Sequence, residues 1–516
     1  MPKFIFTLLI LVLATYSLQA KEPKSAASLQ ALYNSLDPLS LAQLLAFYEL
    51  YPESAEGKKA LDNAWKLLTH GQHLPTTPMM TLPHFDLQAI IALVTREKSA
   101  PPIKLSLEQL ALIEEIAKPL ANRRLKGFSA WSREEVVRLP TEEIDLARGL
   151  LLYQYEQTAA SKEAIRQYEA TLDLMALQIL ARLPPQAISV DKVREINRFI
   201  FQEMQFRFPP HSLHAKDIDL YTFLPSVLDN RQGVCLGVSI LYLSLAQRLD
   251  LPLEIITPPG HIYIRYRDEK QLINIETTAR GIHVPSEKYL GINTRKLEER
   301  TLKEVIGLAF VNQASVAWGK EQYSTTVELY EKALPFLPHD PLLKMFLGFN
   351  YLFIGKTSKG VDLLQQVQHL TFDFAVSSEN IPEDYLRGKV DAEGIKAIFL
   401  PVDETRTSVL EKQKQLEKIL TRHPDFRAGL LQLATTWLQL GRSNEAQTIL
   451  ERHHKIDPNN AIVEYYLAML CLERFDYNGA WNYLKRSEAI TEKRNHHPKA
   501  LKSVRNELRT LCPEPI

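Results

Sequence analysis

Cysteine is scarce in this chain: only Cys235, Cys471 and Cys512 occur among its 516 residues. Small secreted scaffolds that are held together by disulfides carry many cysteines in even numbers, so three cysteines exclude that class of protein. A bridge between Cys471 and Cys512 would leave Cys235 as a free thiol, but the sequence alone does not give the geometry of such a bridge.

Excess charge of either sign is also missing. Lys plus Arg and Asp plus Glu both count 61, so the formal net charge is zero. Because nucleic-acid-binding proteins commonly carry a basic excess, we expect no nucleic-acid partner. Hydrophobic residues make up 45% and charged residues 24% of the chain, which is typical of folded globular protein. A chain of this length is expected to form two to four domains.

Long apolar runs are absent except near the start of the chain. In "MPKFIFTLLILVLATYSLQA" Lys3 precedes an uncharged apolar run over residues 4–18, and the small residue Ala20 follows. This order is typical of a secretory signal peptide at residues 1–20 and predicts an exported protein, either periplasmic or secreted. The alternatives are an uncleaved anchor and a buried helix. Since a bilayer span needs about 20 residues, we expect no stable membrane span after cleavage.

Helical periodicity dominates the rest of the sequence. Apolar residues three and four apart predict a helical region at 21–140 with no evident chemistry, in stretches such as "LSLEQLALIEEIAKPLANRRL". Within it, "SREE" at residues 132–135 has the spacing of a capping box. Three more helices open a core domain at 141–300. The predicted fold class is therefore multi-domain and mainly α, with a region after the core that repeats.

The repeat follows residue 304 and has a period of about 34 residues, the length of a tetratricopeptide repeat. Pro424 and Pro458 recur at this interval, and Gly441 and Ala446 occupy an inter-helix turn and a packing position between them. Small residues at such offsets let antiparallel helices approach closely. The pattern resembles the tetratricopeptide repeat over about 307–374 and 427–492. That resemblance implies an α-solenoid at 305–516, separable from the core, that binds a protein or peptide partner. The alternative is an array that only packs on its own neighbouring domain.

The stretch with candidate chemistry begins at Cys235. This residue follows the polar loop "LDNRQG" and precedes an apolar run at 236–249 that is long enough for a buried helix. Cys235 therefore lies at a helix start, and both a helix N-terminus and a nearby histidine favour the nucleophilic thiolate form of a cysteine. The residues after the helix read as strand, turn, strand, turn, strand, with His261 directly after a Pro-Pro-Gly turn.

The last two strands form a predicted hairpin around the charged segment "RDEKQ". If the hairpin is symmetric about Asp268 and Glu269, Glu276 lies opposite His261, within reach of its imidazole. Asn274 is on the same face and is the alternative residue for orienting the histidine. Cys235, His261 and Glu276 then have the nucleophile, base and orienting acid of a cysteine triad. The opposing interpretation is a buried thiol and a structural histidine that happen to be neighbours.

These residues also carry a family resemblance. "LDNRQGVCLGVSILYLSLAQRLDLPLEIITPPGHIYIRY" followed by "NIETTARG" resembles the bacterial transglutaminase-like proteins, in the branch named for the SirB-type domain, over about 141–299. The resemblance implies a papain-like α+β fold with Cys235 as nucleophile and His261 as base. Glu276 falls at the acidic position, where Asp is usual in that superfamily. It further implies an amide-bond hydrolase or an acyl transferase, similar to a cysteine protease.

Other chemistry is not indicated. The histidines outside this stretch, including His211 and His214, have no Cys or carboxylate spacing that defines a metal site, so we expect no metal and no cofactor. The sequence thus predicts an exported transglutaminase-like cysteine protein with a repeat region for partner binding. The alternative function is a catalytically inactive interaction scaffold that keeps the core only as a fold.

Overall fold

The computed structural model describes residues 25–68, 104–155, 158–184, 186–209, 221–403 and 405–514. The predicted signal peptide, as well as His211 and His214, lies outside these ranges. The chain divides into two compact units, of which the first comprises residues 1–117 and 174–185 and the second comprises residues 118–173 and 186–516.

The first unit is helical in its described part. Ser25, Ser40 and Ser106 each cap a helix by accepting a hydrogen bond from a first-turn backbone N–H, and Ser106 forms a full capping box with Gln109. The helices are Ala26–Asn34, Leu41–Leu50, Ala55–Leu68, Leu107–Ile116 and the last part of Ala159–Arg182. Most of them bury apolar side chains, which confirms the helical periodicity of the sequence in this part of the chain.

Helices surround a small sheet at the start of the second unit. The capping box predicted at residues 132–135 is present at Ser132 and Glu135. The helices are Lys126–Ser129, Arg133–Arg138, Leu146–Gln154, the first part of Ala159–Arg182, Ser189–Asn197 with a π-helical turn at Arg198–Glu203, Leu224–Asn230 and Cys235–Arg248. The strands are β1 (Glu254–Thr257), β2 (Tyr263–Arg267), β3 (Leu272–Ile275) and β4 (Glu298–Arg300).

The sheet is antiparallel throughout and has the order β3-β2-β1-β4. The three predicted strands are confirmed, but the predicted register of the β2–β3 hairpin is wrong by two positions. Asn274 pairs with Arg265 instead of Tyr263. The cause is the turn, which is centred one position later because Asp268 bonds Gln271 across it and its carboxylate caps the N–H groups of Lys270 and Gln271.

Helix pairs fill the rest of the second unit. The helices are Leu302–Gly319, Tyr323–Ala333, Pro341–Phe353, Thr357–Val367, Ile381–Leu386, Ala392–Ile398, Arg406–Arg422, Arg427–Gln439, Ser443–Ile456, Ala461–Glu473, Tyr477–Glu492 and Lys499–Leu511.

Two successive helix pairs repeat at the predicted interval. The helices that begin at Arg427 and Ala461 are as far apart along the chain as those that begin at Ser443 and Tyr477, which confirms the repeat period. Gly441 has φ of +70° at an inter-helix turn. A Cβ on Gly360 would lie 2.9 Å from the Gly348 carbonyl oxygen of the paired helix, so these two helices approach closely only because glycine is present.

The repeats pack on the core at both of their ends. At the start, Phe310 packs against Tyr153 with ring centroids 5.4 Å apart, and Asn312 Nδ2 donates to Thr222 Oγ1 at 2.7 Å. Near the end, His496 Nε2 donates to the carbonyl oxygen of Gly291 at 2.7 Å. Both regions belong to one compact unit, so the boundary predicted near residue 300 does not coincide with the division between the two units.

A segment at residues 372–379, called the strap here, joins the two regions. On the core side, Val376 N donates to Asn293 O and Arg295 N donates to Phe374 O, both at 2.9 Å. On the repeat side, Ala461 N donates to Ser377 Oγ at 3.1 Å. The strap is therefore held by backbone hydrogen bonds from the core and by the start of a repeat helix.

A membrane-spanning segment is not found in the parts of the chain that the structure describes, since no helix there combines the required length and apolar character.

Candidate active site

Cys235 is the first residue of the helix Cys235–Arg248 and is partly exposed, in the helix-start position that the sequence predicted. The preceding segment approaches the helix tightly, because a Cβ on Gly237 would lie only 2.2 Å from the Tyr221 carbonyl oxygen. Val234 occupies the cap position and provides no side-chain hydrogen bond. The positive end of the helix dipole is therefore not shielded by a capping side chain next to the thiol.

The other end of this helix is fixed by buried ion pairs. Arg248 is 1% exposed, and its Nε donates to Asp173 Oδ1 at 2.8 Å. Asp173 also accepts a charge-assisted hydrogen bond from Arg123. An ion pair of this kind is costly to break once buried, because it leaves an uncompensated charge. The helix that carries Cys235 is thus anchored by a charged cluster behind the site.

His261 lies in the turn between β1 and β2, where its N–H donates to the Pro258 carbonyl at 3.0 Å and Gly260 has φ of +71°. Its Nε2 is 2.7 Å from Glu276 Oε2, and its ring is also hydrogen-bonded to the Cys235 side chain. Burial lowers the pKa of His261, but the hydrogen bonds to Cys235 and Glu276 outweigh burial, so this pKa is raised to about 9. The imidazolium form is therefore favoured at neutral pH.

Glu276 follows the end of β3 and is 4% exposed. Thr278 donates to Oε1 through its hydroxyl at 2.6 Å and its N–H at 3.2 Å, while the Tyr289 hydroxyl donates to Oε2. Burial would raise the pKa of Glu276, but the hydrogen bonds from His261, Thr278 and Tyr289 lower it to about 2. Glu276 is therefore a carboxylate, held in place to orient and stabilise a protonated His261.

Two residues that the sequence interpretation missed complete this arrangement. The Tyr289 ring stacks on the His261 ring with centroids 5.5 Å apart, besides donating to Glu276. Thr277 Oγ1 donates to the Cys235 carbonyl oxygen at 3.3 Å and thereby ties the end of β3 to the helix start. The "ETT" motif after Ile275 was a usable signal for Thr277, but nothing in the local sequence marks Tyr289, which comes from a 3-10 turn further along the chain.

Asn274, the alternative orienting residue, does not contact His261. Its Oδ1 accepts a hydrogen bond from Arg265 Nε at 2.9 Å, and its Nδ2 donates to Val284 O at 2.7 Å and Ser286 Oγ at 3.0 Å. The side chain is 1% exposed and fully engaged. The structure therefore brings Cys235, His261 and Glu276 together and gives Asn274 a supporting position beside the sheet.

A cavity of about 540 Å³ opens at the Cys235–His261 pair. One end is formed by these two residues and the turn at 258–260, and the other end by the strap. Apolar side chains of two repeat helices form much of the wall between the ends: Leu308, Val311, Leu342 and Phe346. The candidate site is thus lined by both the core and the repeats, in keeping with their place in one compact unit.

The other two cysteines have different surroundings. Cys471 is 2% exposed, and burial together with the nearby Asp476 raises the pKa of its thiol to about 11. Cys512 is partly exposed near the end of the described residues. All three thiols are free. Within the described ranges, no group of three or more His, Cys, Asp or Glu side chains is arranged to hold a metal ion.

Residues 166–304 match the profile of the transglutaminase-like superfamily. The matched segment contains Cys235, His261 and Glu276, so it forms a transglutaminase-like domain within the longer chain, as the resemblance implied. The SirB-type branch is not distinguished by this match and stays a prediction. No curated protein is similar enough to this chain to give a match.

Two solved structures represent a second group of similar proteins. One is MamA AMB-1, at 16% identity and a TM-score of 0.19, covering 37% of this chain and 93% of that chain. The other is TTC0263, a thermophilic TPR protein of Thermus thermophilus, at 16% identity and a TM-score of 0.20, covering 40% of this chain and 97% of that chain. The repeat architecture itself rests on the constant interval between the helix pairs of this chain.

Proposed function

We propose that the transglutaminase-like domain is an active cysteine acyl-transfer enzyme that cleaves an amide bond with Cys235, His261 and Glu276. The observation that carries the proposal is the contact set of His261, which joins Glu276 at 2.7 Å on one side and Cys235 on the other, at the mouth of an open cavity. A nucleophile, a base and an orienting carboxylate in this order are the parts that covalent catalysis on a carbonyl requires.

In the first half-reaction the Cys235 thiolate attacks the amide carbonyl carbon and forms a C–S bond. The C–N bond then breaks, the protonated His261 gives its proton to the leaving amine, and a thioester of Cys235 remains. Glu276 stabilises the imidazolium and keeps the ring in position. The uncapped first turn of the helix at Cys235 offers backbone N–H dipoles for the negative charge that develops on the carbonyl oxygen.

In the second half-reaction either water or an amine attacks the thioester carbonyl. His261 takes the proton of the attacking group, the C–S bond breaks, and Cys235 returns as the thiolate. Water gives hydrolysis and an amine gives a new amide. The apolar wall at Leu308, Val311 and Phe346 favours a substrate with apolar groups next to the reacting amide.

We expect Cys235 to be the most reactive thiol of the native full chain. Its helix-start position and the raised pKa of His261 favour nucleophilic attack near neutral pH, whereas Cys471 is buried with a raised pKa. The test is timed alkylation with iodoacetamide at pH 7.5, with mass-spectrometric mapping of all three cysteines. Cys235 should react at least about tenfold faster than Cys512 and Cys471.

The control is the variant His261→Ala, in which the rate at Cys235 should fall towards the rate at Cys512. Equal or slower labelling of Cys235 in the wild-type chain would reject the nucleophile assignment. That result would support the alternative, a catalytically inactive scaffold that uses its repeats for interaction.

We further propose that the chain is exported and that residues 1–20 are removed. The support is the short basic start followed by the apolar run at residues 4–18, which is too short for a stable membrane span. Expression in a bacterial host followed by N-terminal sequencing should give a mature start at or near Lys21. A chain that retains Met1 and stays in the membrane fraction would contradict this.

A further inference from the structure

The catalytic cavity adjoins a second cavity of about 300 Å³ that lies among the repeat helices. The two cavities share lining residues from the core, the repeats and the strap: Asn293, Leu342, Phe346, Ser377, Ser378 and Glu379. Ligand-accessible space therefore extends from Cys235 past the strap to the helices that begin at Arg427 and Ala461. A substrate larger than a single amino acid can occupy both cavities at once.

The second cavity has apolar walls and a polar end. Phe399, Leu431 and Ile462 line it together with the shared Phe346. Such walls suit the aliphatic stem of a long side chain, whose polar head must then find a partner. The polar end contains two groups that are not fully partnered, Glu379 and His453.

Glu379 is a carboxyl group without a counter-ion. It accepts hydrogen bonds from backbone N–H groups, including that of Ile381 at 3.2 Å, but the part of the chain that the structure describes gives it no ion pair. The Arg427 guanidinium, which lines the same cavity, is already bound to Glu383 and Asp384, each at 2.6 Å. Burial raises the pKa of Glu379, which is the expected response of a carboxyl group that lacks a compensating charge. A cation placed beside it would restore that compensation.

His453 provides an independent indication that this end is built to bind something. Its side chain is 1% exposed and lines the second cavity, yet Nδ1 has no hydrogen-bond partner among the described residues. Burial lowers the pKa of His453, so the ring is neutral and adds no positive charge that would repel a cation. An unpaired buried polar atom costs free energy unless a ligand or water satisfies it.

We propose that the joined cavities bind a polypeptide segment with a lysine or arginine side chain, whose head group pairs with Glu379 while a neighbouring acyl group of the segment reaches Cys235. The repeats then select the substrate and the core performs the reaction. The occupant is a peptide because the space joins a carbonyl-attacking centre to an apolar channel with an acidic end. This inference rests on the proposed function for its chemistry, although the binding itself can be tested without turnover.

The experiment measures binding to the full chain with Cys235→Ala, so that no reaction interferes. Fluorescein-labelled peptides of leucine and alanine contain one glutamine as the acyl group and one lysine at a series of spacings on either side. Each has a matched peptide with norleucine, which keeps the stem of lysine without its charge. Dissociation constants are measured by fluorescence anisotropy in low and high salt.

At one spacing or more, we expect the lysine peptide to bind at least about tenfold more tightly than its norleucine partner. Adding Glu379→Gln should bring that ratio close to one and leave the affinity of the norleucine peptide unchanged. The matched control Glu269→Gln changes an exposed carboxylate in the β2–β3 turn and should leave the ratio unaltered.

Equal affinity of lysine and norleucine peptides at every spacing, or an unchanged preference in Glu379→Gln, would overturn the inference. So would the absence of measurable binding by every peptide. None of these results bears on the reactivity of Cys235, which the alkylation experiment measures separately, so failure of this inference and failure of the proposed function can be told apart.

Discussion

Replacing Glu276 with glutamine is expected to lower kcat/KM by about 10³ to 10⁴-fold while the fold is retained. The basis is the 2.7 Å contact between His261 Nε2 and Glu276 Oε2, in which a carboxylate both orients the imidazole and stabilises its positive charge. An amide of the same shape can only orient the ring, and aspartate-to-amide changes in triads have losses of about this size. The measurement is amide or ester turnover at matched fraction folded.

The pH dependence gives a readout that a merely structural effect would not change. In the wild-type chain, activity requires protonated His261 and should fall as pH rises through about 9, the raised pKa of this residue. Glu276 is one of the causes of the raised pKa, so Glu276→Gln should move this alkaline limb to lower pH. The acidic side is unaffected by Glu276 until pH approaches about 2, its own lowered pKa.

Asn274→Ala is the control substitution on the same face of β3. It removes hydrogen bonds to Arg265 and Ser286 and should lower the free energy of unfolding by about 1–3 kcal/mol, because buried polar partners are left unsatisfied. It should leave kcat/KM within about tenfold of the wild-type value and should not shift the pH profile. The reverse ranking of Asn274 and Glu276 would transfer the orienting role to Asn274.

Cutting the chain before Glu304 is expected to abolish the cooperative folding of the repeat fragment 304–516. The helix Leu302–Gly319 would lose its first two residues and the Thr301 cap, which typically contributes about 1 kcal/mol. Ile306 and Phe310, now 0% and 4% exposed, would be transferred to water at about 1.5–3 kcal/mol each. The sum is a large fraction of a normal domain stability.

Thermal unfolding followed by circular dichroism distinguishes the outcomes. The full chain should show a cooperative transition for this unit, and fragment 304–516 should show a broad one at lower temperature. As a control, co-expression with fragment 1–303 should restore the cooperative transition through re-formed contacts such as Phe310 with Tyr153. A fragment that alone melts as sharply, and at the same temperature, as the full chain would show that the repeats fold independently.

The elements of the fold were readable from the sequence because they follow local rules. The capping box at Ser132, the helix start at Cys235 and the repeat period depend on neighbours in the chain. The packing of repeats on the core was not readable, since it depends on pairs such as Gly291 with His496, which are far apart in the chain and have no local signature. β4 was missed because its three residues, Glu-Glu-Arg, lack the apolar alternation of a strand.

The candidate site shows the same division. The proximity of His261 and Glu276 was predicted with an incorrect register, and the contact forms because both residues lie just outside the paired strand segments. The shift is by two positions, which preserves the face of every side chain, whereas a shift of one would have reversed it. Tyr289 was not predictable, since its approach to Glu276 depends on the path of the chain after β3.

The strap has a consequence for the order of events during synthesis. Domains tend to fold as the chain emerges from its N-terminal end, and long-range contacts form late because their loops are costly to close. Cys235, His261 and Glu276 have all been synthesised before the strap begins, but Val376, Ala461 and His496 must follow before the strap and its supports are in place. The residues of the reactive centre are therefore present well before the walls that select its substrate, so newly made chains pass through a stage in which chemistry precedes specificity.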